Sequence, residues 1–407
     1  MQNNIMTNLP QGWKMETLGE ILSSDKYSIK RGPFGSTLKK SFFVEKGIRI
    51  FEQYNPINND PHWKRYFISH EKFQELEAFK ATEGDLLISC SGTLGKIVEL
   101  PKDTEMGIIN QALLKIRLNN IKILNSYFIY YFNSPIMQEK ILESTLGSAI
   151  KNIASVKILK QIEIPLPPLK KQERIVGILD ESFAKIDESI KILEQNLLNL
   201  DELMQSALQK AFNPLKDNAK ENYKLPQGWE WKSLEEISEN ISAGGDKPKN
   251  CTESKTAKNQ IPVYANGVSN NGLVGYTDKA TIIKPSLTIS ARGTIGFVCI
   301  RKEPYFPIVR LISLIPCENI LCLHYLYFCL NFFIAKGEGS SIPQLTIPKF
   351  KSLQIPLPPL KEQEQIAKHL DFIFEKTKAL KELYTKELKD YEELKQSLLD
   401  KAFKGEL

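Results

Sequence analysis

The sequence has few of the residues that enzymes use for metal and redox chemistry. Six cysteines lie mostly in apolar stretches and form no Cys-x-x-Cys pair, so we expect them to be reduced core residues. The four histidines are scattered and form no His-Glu-x-x-His motif or Cys/His cluster; they are His62, His70, His324 and His369. The sequence therefore predicts no metal site and no cofactor.

Long apolar runs and an export signal are also missing. The first residues, MQNNIMTNLPQGW, contain no basic segment followed by an apolar one. The most apolar stretch, residues 320–335, is too short for a membrane span and includes His324 and Asn331. We therefore expect a cytoplasmic protein with no membrane partner.

Catalytic motifs fail on their spacing. The stretch from Ser91 to Lys96, SGTLGK, resembles a phosphate-binding loop. A P-loop, however, has four residues between its first glycine and its Gly-Lys pair, and a Ser or Thr after that pair, whereas Ile97 follows here. A methyltransferase-type glycine loop after a strand and an Asn-Pro-Pro-aromatic tetrapeptide are both missing. We therefore expect that the chain itself catalyses no reaction.

Bulk composition is that of an ordinary globular protein. The 407 residues, of which 42% are apolar, are enough for two or three domains. The net charge of +6 is compatible with nucleic-acid binding but is a weak indication of it, because many unrelated proteins carry a similar excess.

An internal repeat covers nearly the whole chain. The segment IPLPPLKKQERIVGILD at 164–180 returns as IPLPPLKEQEQIAKHLD at 355–371, with twelve of seventeen positions identical. Four further landmarks recur in the same order: LPQGW at 9–13 and 225–229, ISCSGTLGKIV at 88–98 and ISARGTIGFVC at 289–299, aromatic runs at 127–133 and 325–331, and GSAIKNI at 147–153 and GSSIPQL at 339–345. Two copies of one fold explain this series.

Each copy ends in a pattern typical of a long helix. Pro168 and Pro359 precede Leu/Ile/Lys/Glu-rich stretches, at a position where the missing N–H of proline costs nothing. Apolar residues then alternate at spacings of four and three, which indicates helices of about 40 residues and about 60 Å that pair with each other. The predicted organisation is a first domain at 1–165, a helix at 166–212, a linker at 213–224, a second domain at 225–356 and a helix at 357–407.

The predicted fold class is α+β, with two mixed α/β domains joined by two long antiparallel coiled-coil helices. Short buried strands at 84–89 and 286–290 enter the turns Ser-Gly-Thr-Leu-Gly and Arg-Gly-Thr-Ile-Gly. The aromatic runs are expected to form buried helices of the repeated domain.

Basic, hydroxyl and amide residues in these turns and in the loop-like segments 28–40, 244–249 and 264–271 form most of the candidate binding site. Lys and Arg suit phosphate contact, glycines allow close backbone approach, and Asn, Ser and Arg can contact base edges. The candidate DNA-binding residues are Lys30, Arg31, Ser36, Lys39, Lys40, Ser91, Thr93, Lys96 and Lys151 in the first copy, and Lys247, Lys249, Asn266, Ser269, Asn270, Arg292, Thr294 and Gln344 in the second.

Together these motifs resemble the specificity subunits of type I restriction-modification systems, over almost all of the chain. The resemblance implies two target-recognition domains that each read one half of a bipartite double-stranded DNA target, with paired helices as a spacer. It also implies that two methyltransferase subunits dock on the chain and that restriction/translocase subunits then join. Because the two domains differ in length and loop content, the resemblance does not identify the base-contacting residues.

Three other functions stay open at this point. A coiled-coil scaffold without DNA affinity would explain the helices but not the repeated glycine-rich turns. An enzyme such as a nuclease would need a site that the motifs do not reveal. A specificity subunit of a related system, whose partner fuses methyltransferase and nuclease, would share every feature described above.

Overall fold

The computed structural model describes residues 9–143, 153–212, 226–334 and 345–407. The chain divides into two compact units. Unit 1 comprises Met1–Leu193 and Lys386–Leu407, and unit 2 comprises Glu194–Thr385. Each unit combines small sheets with helices, so the predicted mixed α/β fold class with an internal repeat and two long helices is confirmed.

Unit 1 contains eleven short strands among its described residues. They are β1 (Lys14–Thr17), β2 (Ile29–Arg31), β3 (Phe43–Val44), β4 (Ile48–Phe51), β5 (Phe67–Ile68), β6 (Lys80–Ala81), β7 (Leu86–Ser89), β8 (Ile97–Glu99), β9 (Gly107–Ile109), β10 (Leu113–Ile116) and β11 (Glu163–Leu166). The α-helices that begin there are α1 (Tyr54–Ile57), α2 (His70–Glu75), α3 (Asn125–Asn133), α4 (Pro135–Glu143), α5 (Val156–Leu159) and α6 (Leu169–Phe212).

Three sheets organise unit 1. The central sheet has the order β2-β10-β7-β8 and is antiparallel throughout. A five-stranded sheet has the order β3-β5-β4-β9-β6, and β1 pairs with β11. Strands β7 and β10 are buried along their full length; each has three apolar residues and one buried polar residue, Ser89 in β7 and Lys115 in β10.

Unit 2 repeats this plan with fewer strands. Its strands are β12 (Glu230–Ser233), β13 (Ser238–Ala243), β14 (Ile261–Tyr264), β15 (Leu273–Thr277), β16 (Ser286–Ile289), β17 (Val298–Arg301), β18 (Phe306–Pro307), β19 (Ile312–Pro316) and β20 (Gln354–Leu357). Its helices are α7 (Leu234–Ile237), α8 (Leu323–Phe333), α9 (Ile347–Lys351) and α10 (Leu360–Lys404), and the last part of α6 also belongs to it. The sheets have the orders β13-β19-β16-β17, β15-β14-β18 and β12-β20.

The LPQGW and IPLPP landmarks are neighbours in each unit. In unit 1 the strand after LPQGW, β1, pairs antiparallel with the IPL strand β11, and in unit 2 β12 pairs with β20 in the same way. The aromatic helix fixes this ribbon, because Tyr127 Oη donates to Pro165 O at 2.8 Å and Tyr325 Oη donates to Pro356 O at 2.6 Å. The repeated sequence motifs thus mark the frame of each unit.

A buried glutamine connects each long helix to its own unit. Gln172 is completely buried; its Nε2 donates to Lys122 O and Pro167 O, and its Oε1 accepts from Leu124 N, each at 2.9 Å. Gln363 makes the same three hydrogen bonds in unit 2, to Ile320 O, Pro358 O and Cys322 N, at 2.8 to 2.9 Å. An amide that donates twice and accepts once satisfies three backbone groups at the helix start.

The distal end of each long helix enters a hydrophobic core. In unit 1 the end of α10 contributes Phe403, whose ring packs edge-to-face on Tyr127 and Tyr131 at centroid distances of 5.4 and 5.0 Å. In unit 2 the end of α6 contributes Phe212, which packs on Tyr325 at 5.4 Å. Both phenylalanines are buried, so each core contains part of both helices.

The helices pair antiparallel within each unit. In unit 1 Lys395 forms an ion pair with Asp187 while Phe403, further along α10, lies in the same core as Leu179, earlier on α6. In unit 2 Lys381 pairs with Asp201 and the start of α10 packs against the end of α6. This is the pairing expected from the spacing of apolar residues.

The expectation that the cysteines are core residues needs correction. Only Cys90 and Cys329 are fully buried, whereas the other four cysteines are partly exposed because they lie at sheet edges, in loops and next to helix starts; all six are free thiols. At the end of α6 Leu208 and Phe212 are buried, and Ala207 and Ala211 pack beside them as partly buried residues of the same core. Within the described residues, no helix has both the length and the apolarity needed to cross a membrane.

Candidate nucleic-acid interface

Three corners of the chain meet at one end of the central sheet of unit 1. Gly32, just after β2, donates its N–H to Leu113 O at 2.9 Å, and Cys90, just after β7, donates to Ala112 O at 2.7 Å. The turn Asn110–Ala112 between β9 and β10 therefore lies between the β2 corner and the Ser91–Lys96 turn. We call this set of corners the turn edge of unit 1.

Unit 2 has a corresponding turn edge. Gly244, just after β13, exchanges hydrogen bonds with the corner between β18 and β19, accepting from Arg310 N and donating to Leu311 O, both at 2.8 Å. Asn266 joins this corner to the Arg292–Gly296 turn, because its Nδ2 donates to Val309 O at 2.6 Å and its Oδ1 accepts from Ala291 N at 2.8 Å. The same three corners thus meet in both units.

The backbone approaches itself too closely at these corners for a side chain. A Cβ on Gly32 would lie 1.8 Å from Asn110 O, and one on Gly244 would lie 2.6 Å from Ile308 N. Glycine is therefore required at both positions for the neighbouring turn to reach the edge.

Unit 1 brings only some of the predicted basic residues to the turn edge. Arg31 lies there, with its guanidinium 3.4 Å from Ile153 O, whereas Lys30 points to the other face of β2 and lies over the Tyr27 and Phe79 rings. The alternation of side chains along a strand separates these two neighbours, which the sequence reading had grouped together.

The other predicted residues of unit 1 are surface residues. Thr93 and Lys96 are exposed on the turn between β7 and β8, and Ser91 is half-buried at its start. Ser36, Lys39 and Lys40 are exposed on the two short 3-10 segments that follow Gly32. In the sequence, these residues form a segment with two lysines that follows the Gly32 corner of the turn edge.

In unit 2 some of the predicted residues are exposed to solvent, and others hold the backbone of the turn edge. Arg292 is exposed in the turn after β16, and Lys247 and Lys249 are exposed just after the Gly244 corner. Asn266 uses its amide to hold two corners together. Thr294 Oγ1 is buried within the turn, without a hydrogen-bond partner among the described residues.

Ser269 and Asn270 are exposed on a tight turn that Arg301 positions. Asn270 and Asn271 both adopt left-handed backbone conformations, with φ of 48° and 51°. The buried Arg301 donates to Asn271 O at 2.6 Å and stacks its guanidinium 3.6 Å from the centroid of the Tyr264 ring. Lys151 and Gln344, the last two predicted residues, lie outside the described residues.

Two exposed residues at the centre of the turn edges, Gln111 and Arg310, were not predicted from the sequence. Gln111 is the tip of the turn between β9 and β10. Arg310 lies one residue further along the corresponding corner between β18 and β19, where Val309 occupies the place of Gln111. The repeat could have located this corner, since the buried stretches LLKI at 113–116 and LISL at 311–314 correspond in the two copies. The turns themselves share almost no residues, which hid the correspondence.

Many exposed side chains of the edges are cations, hydroxyls or amides. Burial raises the pKa of the Cys90 thiol, at the start of the unit 1 turn, to about 12, so this cysteine is no nucleophile at neutral pH. In the part of the chain that the structure describes, no group of three His, Cys, Asp or Glu residues could hold a metal ion. Cations, hydroxyls and amides on glycine-rich turns are the groups that contact nucleic-acid phosphates and base edges.

Comparisons with known proteins agree with this interpretation. A relative at 33% identity, the type I specificity subunit S.MpnORF507P of Mycoplasma pneumoniae, aligns over 54% of this chain; the alignment spans 57% of that relative's length. The HsdS subunit from Thermoanaerobacter tengcongensis has a similar fold, with a TM-score of 0.65 at 21% identity over the full length of both chains.

A second solved structure is more similar in fold. It belongs to work on the complex assembly and conformational transition of the type I R-M system, and superposes with a TM-score of 0.81 at 22% identity over 99% of this chain and all of the other. The family model for the type I restriction modification DNA specificity domain matches residues 10–198 and again 226–390. The chain therefore belongs to the type I restriction-modification DNA specificity family and carries two copies of its domain.

Proposed function

We propose that this chain is the DNA-specificity subunit of a type I restriction-modification complex, in which each unit reads one half of a bipartite double-stranded DNA target. The observation that carries the proposal is the turn edge, which occurs once in each unit on the same backbone frame with different side chains. Two readers with different side chains recognise two different half-sites. The chain recognises DNA and catalyses no step itself, and a cytoplasmic location follows from such a role.

Methylation mapping tests the two-reader proposal directly. The chain is expressed with its methyltransferase partner in cells, and modified positions are mapped across the genome. Replacing residues 226–354 with the corresponding region of a relative is expected to change one half of the methylated motif and to leave the other half intact. Changes in both halves would contradict independent readers, and a wild-type chain without DNA affinity would favour a coiled-coil scaffold.

Exposed apolar residues on the paired helices suit the docking of methyltransferase subunits. In unit 2 Leu203 is 50% exposed and Phe372 is 60% exposed, beside a groove of about 470 Å³ between α6 and α10. In unit 1 Ile192 and Leu394 are 55% and 45% exposed on the same two helices. Exposed apolar patches of this kind mark protein interfaces, and a repeated helix pair offers two seats for two copies of a partner.

The mass of the purified complex tests the docking. We expect two methyltransferase subunits per chain, with restriction/translocase subunits joining this core. The double change Leu203→Lys and Phe372→Asp is expected to remove one methyltransferase copy, whereas Ile121→Ser, at a residue 85% exposed outside the helices, is expected to remove none. Retention of both copies by the double variant would refute this docking surface, and one partner with both methyltransferase and nuclease activity would indicate the related fused system.

A further inference from the structure

The central corners of the two turn edges carry different exposed side chains. Gln111 in unit 1 and Arg310 in unit 2 are both exposed, and among the described residues no group accepts a hydrogen bond from either side chain. Both are flanked by the two other corners of the edge, the glycine corner on one side and the Ser-Gly-Thr or Arg-Gly-Thr turn on the other. A duplex that approaches either edge meets these side chains between the flanking corners.

The backbone at Val309 and Arg310 is strained and is held in place by hydrogen bonds. Val309 and Arg310 have φ of 53° and 59°, a conformation that is unfavourable for a β-branched valine. Their backbone groups are held by Gly245 O, Gly244 O and the Asn266 amide, at 2.8, 2.8 and 2.6 Å. Backbone strain that surrounding contacts maintain is typical of active sites and ligand-binding sites, where a side chain must be held in position.

The beginning of the Gln111 turn is fixed in another way. Asn110 donates its N–H to Phe51 O at 3.0 Å and accepts from Ala112 N through Oδ1, also at 3.0 Å. Ala112 O is bound by Cys90 N, so both neighbours of Gln111 are fixed while its own side chain is exposed. A rigid turn with one exposed amide side chain loses little entropy when that side chain binds.

The side-chain types indicate which bases they read. Glutamine pairs with adenine through two hydrogen bonds, at N6 and N7, and arginine pairs with guanine at O6 and N7. A neutral amide adds little to phosphate binding, which favours a base contact for Gln111. We propose that Gln111 reads an adenine in the half-site of unit 1 and that Arg310 reads a guanine in the half-site of unit 2. This inference rests on the proposed function of the two units.

The test exchanges the two side chains one at a time in the full chain with its methyltransferase partner. Gln111→Arg is expected to replace one adenine of the first half-site by guanine, and Arg310→Gln to replace one guanine of the second half-site by adenine, with the other half-site unchanged. Gln111→Ala and Arg310→Ala are expected to lower discrimination at the same single positions by about 5- to 150-fold. Methylation mapping and competition binding with single-base variants of the target report each change.

Matched controls lie at the far ends of strands that border the same edges. Lys302→Gln removes an exposed cation just after β17, at the end of that strand remote from the Arg292 turn, and Asn120→Arg adds one beyond the opposite end of β10. Both controls are expected to leave the motif unchanged. A control that altered the motif at the same positions would overturn the assignment to the tips.

Salt dependence separates base contact from phosphate contact. A base contact relaxes one position of the motif and leaves the salt slope unchanged, whereas a phosphate contact weakens binding to all sequences and reduces the slope by about 1. A uniform loss with a reduced slope for Arg310→Ala, or an unchanged motif for Gln111→Ala, would overturn the inference. A wild-type chain with no bipartite motif would instead overturn the proposed function, so the two failures are distinguishable.

Discussion

The buried glutamine at the start of each long helix makes a quantitative prediction. Replacing Gln172 by leucine keeps the size of the side chain and removes its three hydrogen bonds to Lys122 O, Pro167 O and Leu124 N. At about 1 kcal/mol for each bond, we expect the free energy of unfolding to fall by about 3 kcal/mol. The same substitution at Gln363 is expected to cost a similar amount, because its three bonds go to the corresponding backbone groups of unit 2 at 2.8 to 2.9 Å.

Glutamate at position 172 is expected to be worse than leucine at neutral pH. A carboxylate would face two carbonyl oxygens in a site with no exposed surface, so its pKa in the folded state would lie above the unfolded value of about 4.3. The extra cost is absent below that pH, where the acid is protonated in both states. It grows by up to about 1.4 kcal/mol per pH unit as the pH rises towards the pKa of the folded state.

Hydrogen exchange and urea unfolding measure these effects. Exchange at the amides of β7 and β10 reports opening in unit 1 and exchange at the amides of β16 and β19 reports opening in unit 2, so each variant has an internal control in the other unit. Gln161→Ala, at an exposed residue before β11, is a matched control with an expected cost below about 0.5 kcal/mol. A cost below 1 kcal/mol for Gln172→Leu, or a Gln172→Glu penalty that does not depend on pH, would refute the reasoning.

Three further predictions concern the helices and the basic residues. Phe403→Ala is expected to lower the free energy of unfolding in unit 1 by about 3 to 5 kcal/mol, because it removes a fully buried ring from the core. A smaller cost in urea unfolding would mean that the end of α10 is dispensable for the core of unit 1. The double change Lys39→Gln and Lys96→Gln is expected to reduce the slope of log affinity against log salt by about 1 to 2, and an unchanged slope would remove these residues from the interface. Leu197 and Thr385 lie at one level of the antiparallel pair according to the Lys381–Asp201 contact, and four-residue insertions after both add about 6 Å to the helices. The insertions are expected to lengthen the gap between half-sites by one or two base pairs, at about 3.4 Å each. An unchanged gap in the methylated motif would show that the helices do not set it.

The repeat and the long helices could be predicted because their signals are local. The Pro-Pro pairs stand directly before α6 and α10, which begin at Leu169 and Leu360, and the apolar spacing of each helix is visible without its partner. Lys395 shows the limit of such patterns. It occupies an apolar position of the seam because its ammonium pairs with Asp187 and lies 5.7 Å from the centroid of the Phe183 ring.

The details of the turn edges could not be predicted because they depend on contacts between distant residues. Asn266 carries the composition of a base reader, yet its amide joins two corners that lie 25 and 43 residues away. Lys30 is turned away from the edge by the alternation of β2, a strand whose register depends on pairing with β10. Arg310 is exposed at the tip only because two glycines and Asn266 hold its backbone in a left-handed conformation.

Comparison of the two units separates the frame from the reading surface. Residues that hold the frame recur with the same contacts: Glu20 and Glu236 accept from the N–H groups of Thr17 and Ser233, at 2.7 and 2.8 Å, to cap the first helical turn of each unit. At the turn edges the side chains differ instead, with Arg292 where unit 1 has Ser91, and with Val309 and Arg310 where unit 1 has Gln111 and Ala112. Because the frame is shared, these differences alone change what each edge can bind. Two identical edges would read two identical half-sites, so this chain is expected to recognise a target with two unlike halves.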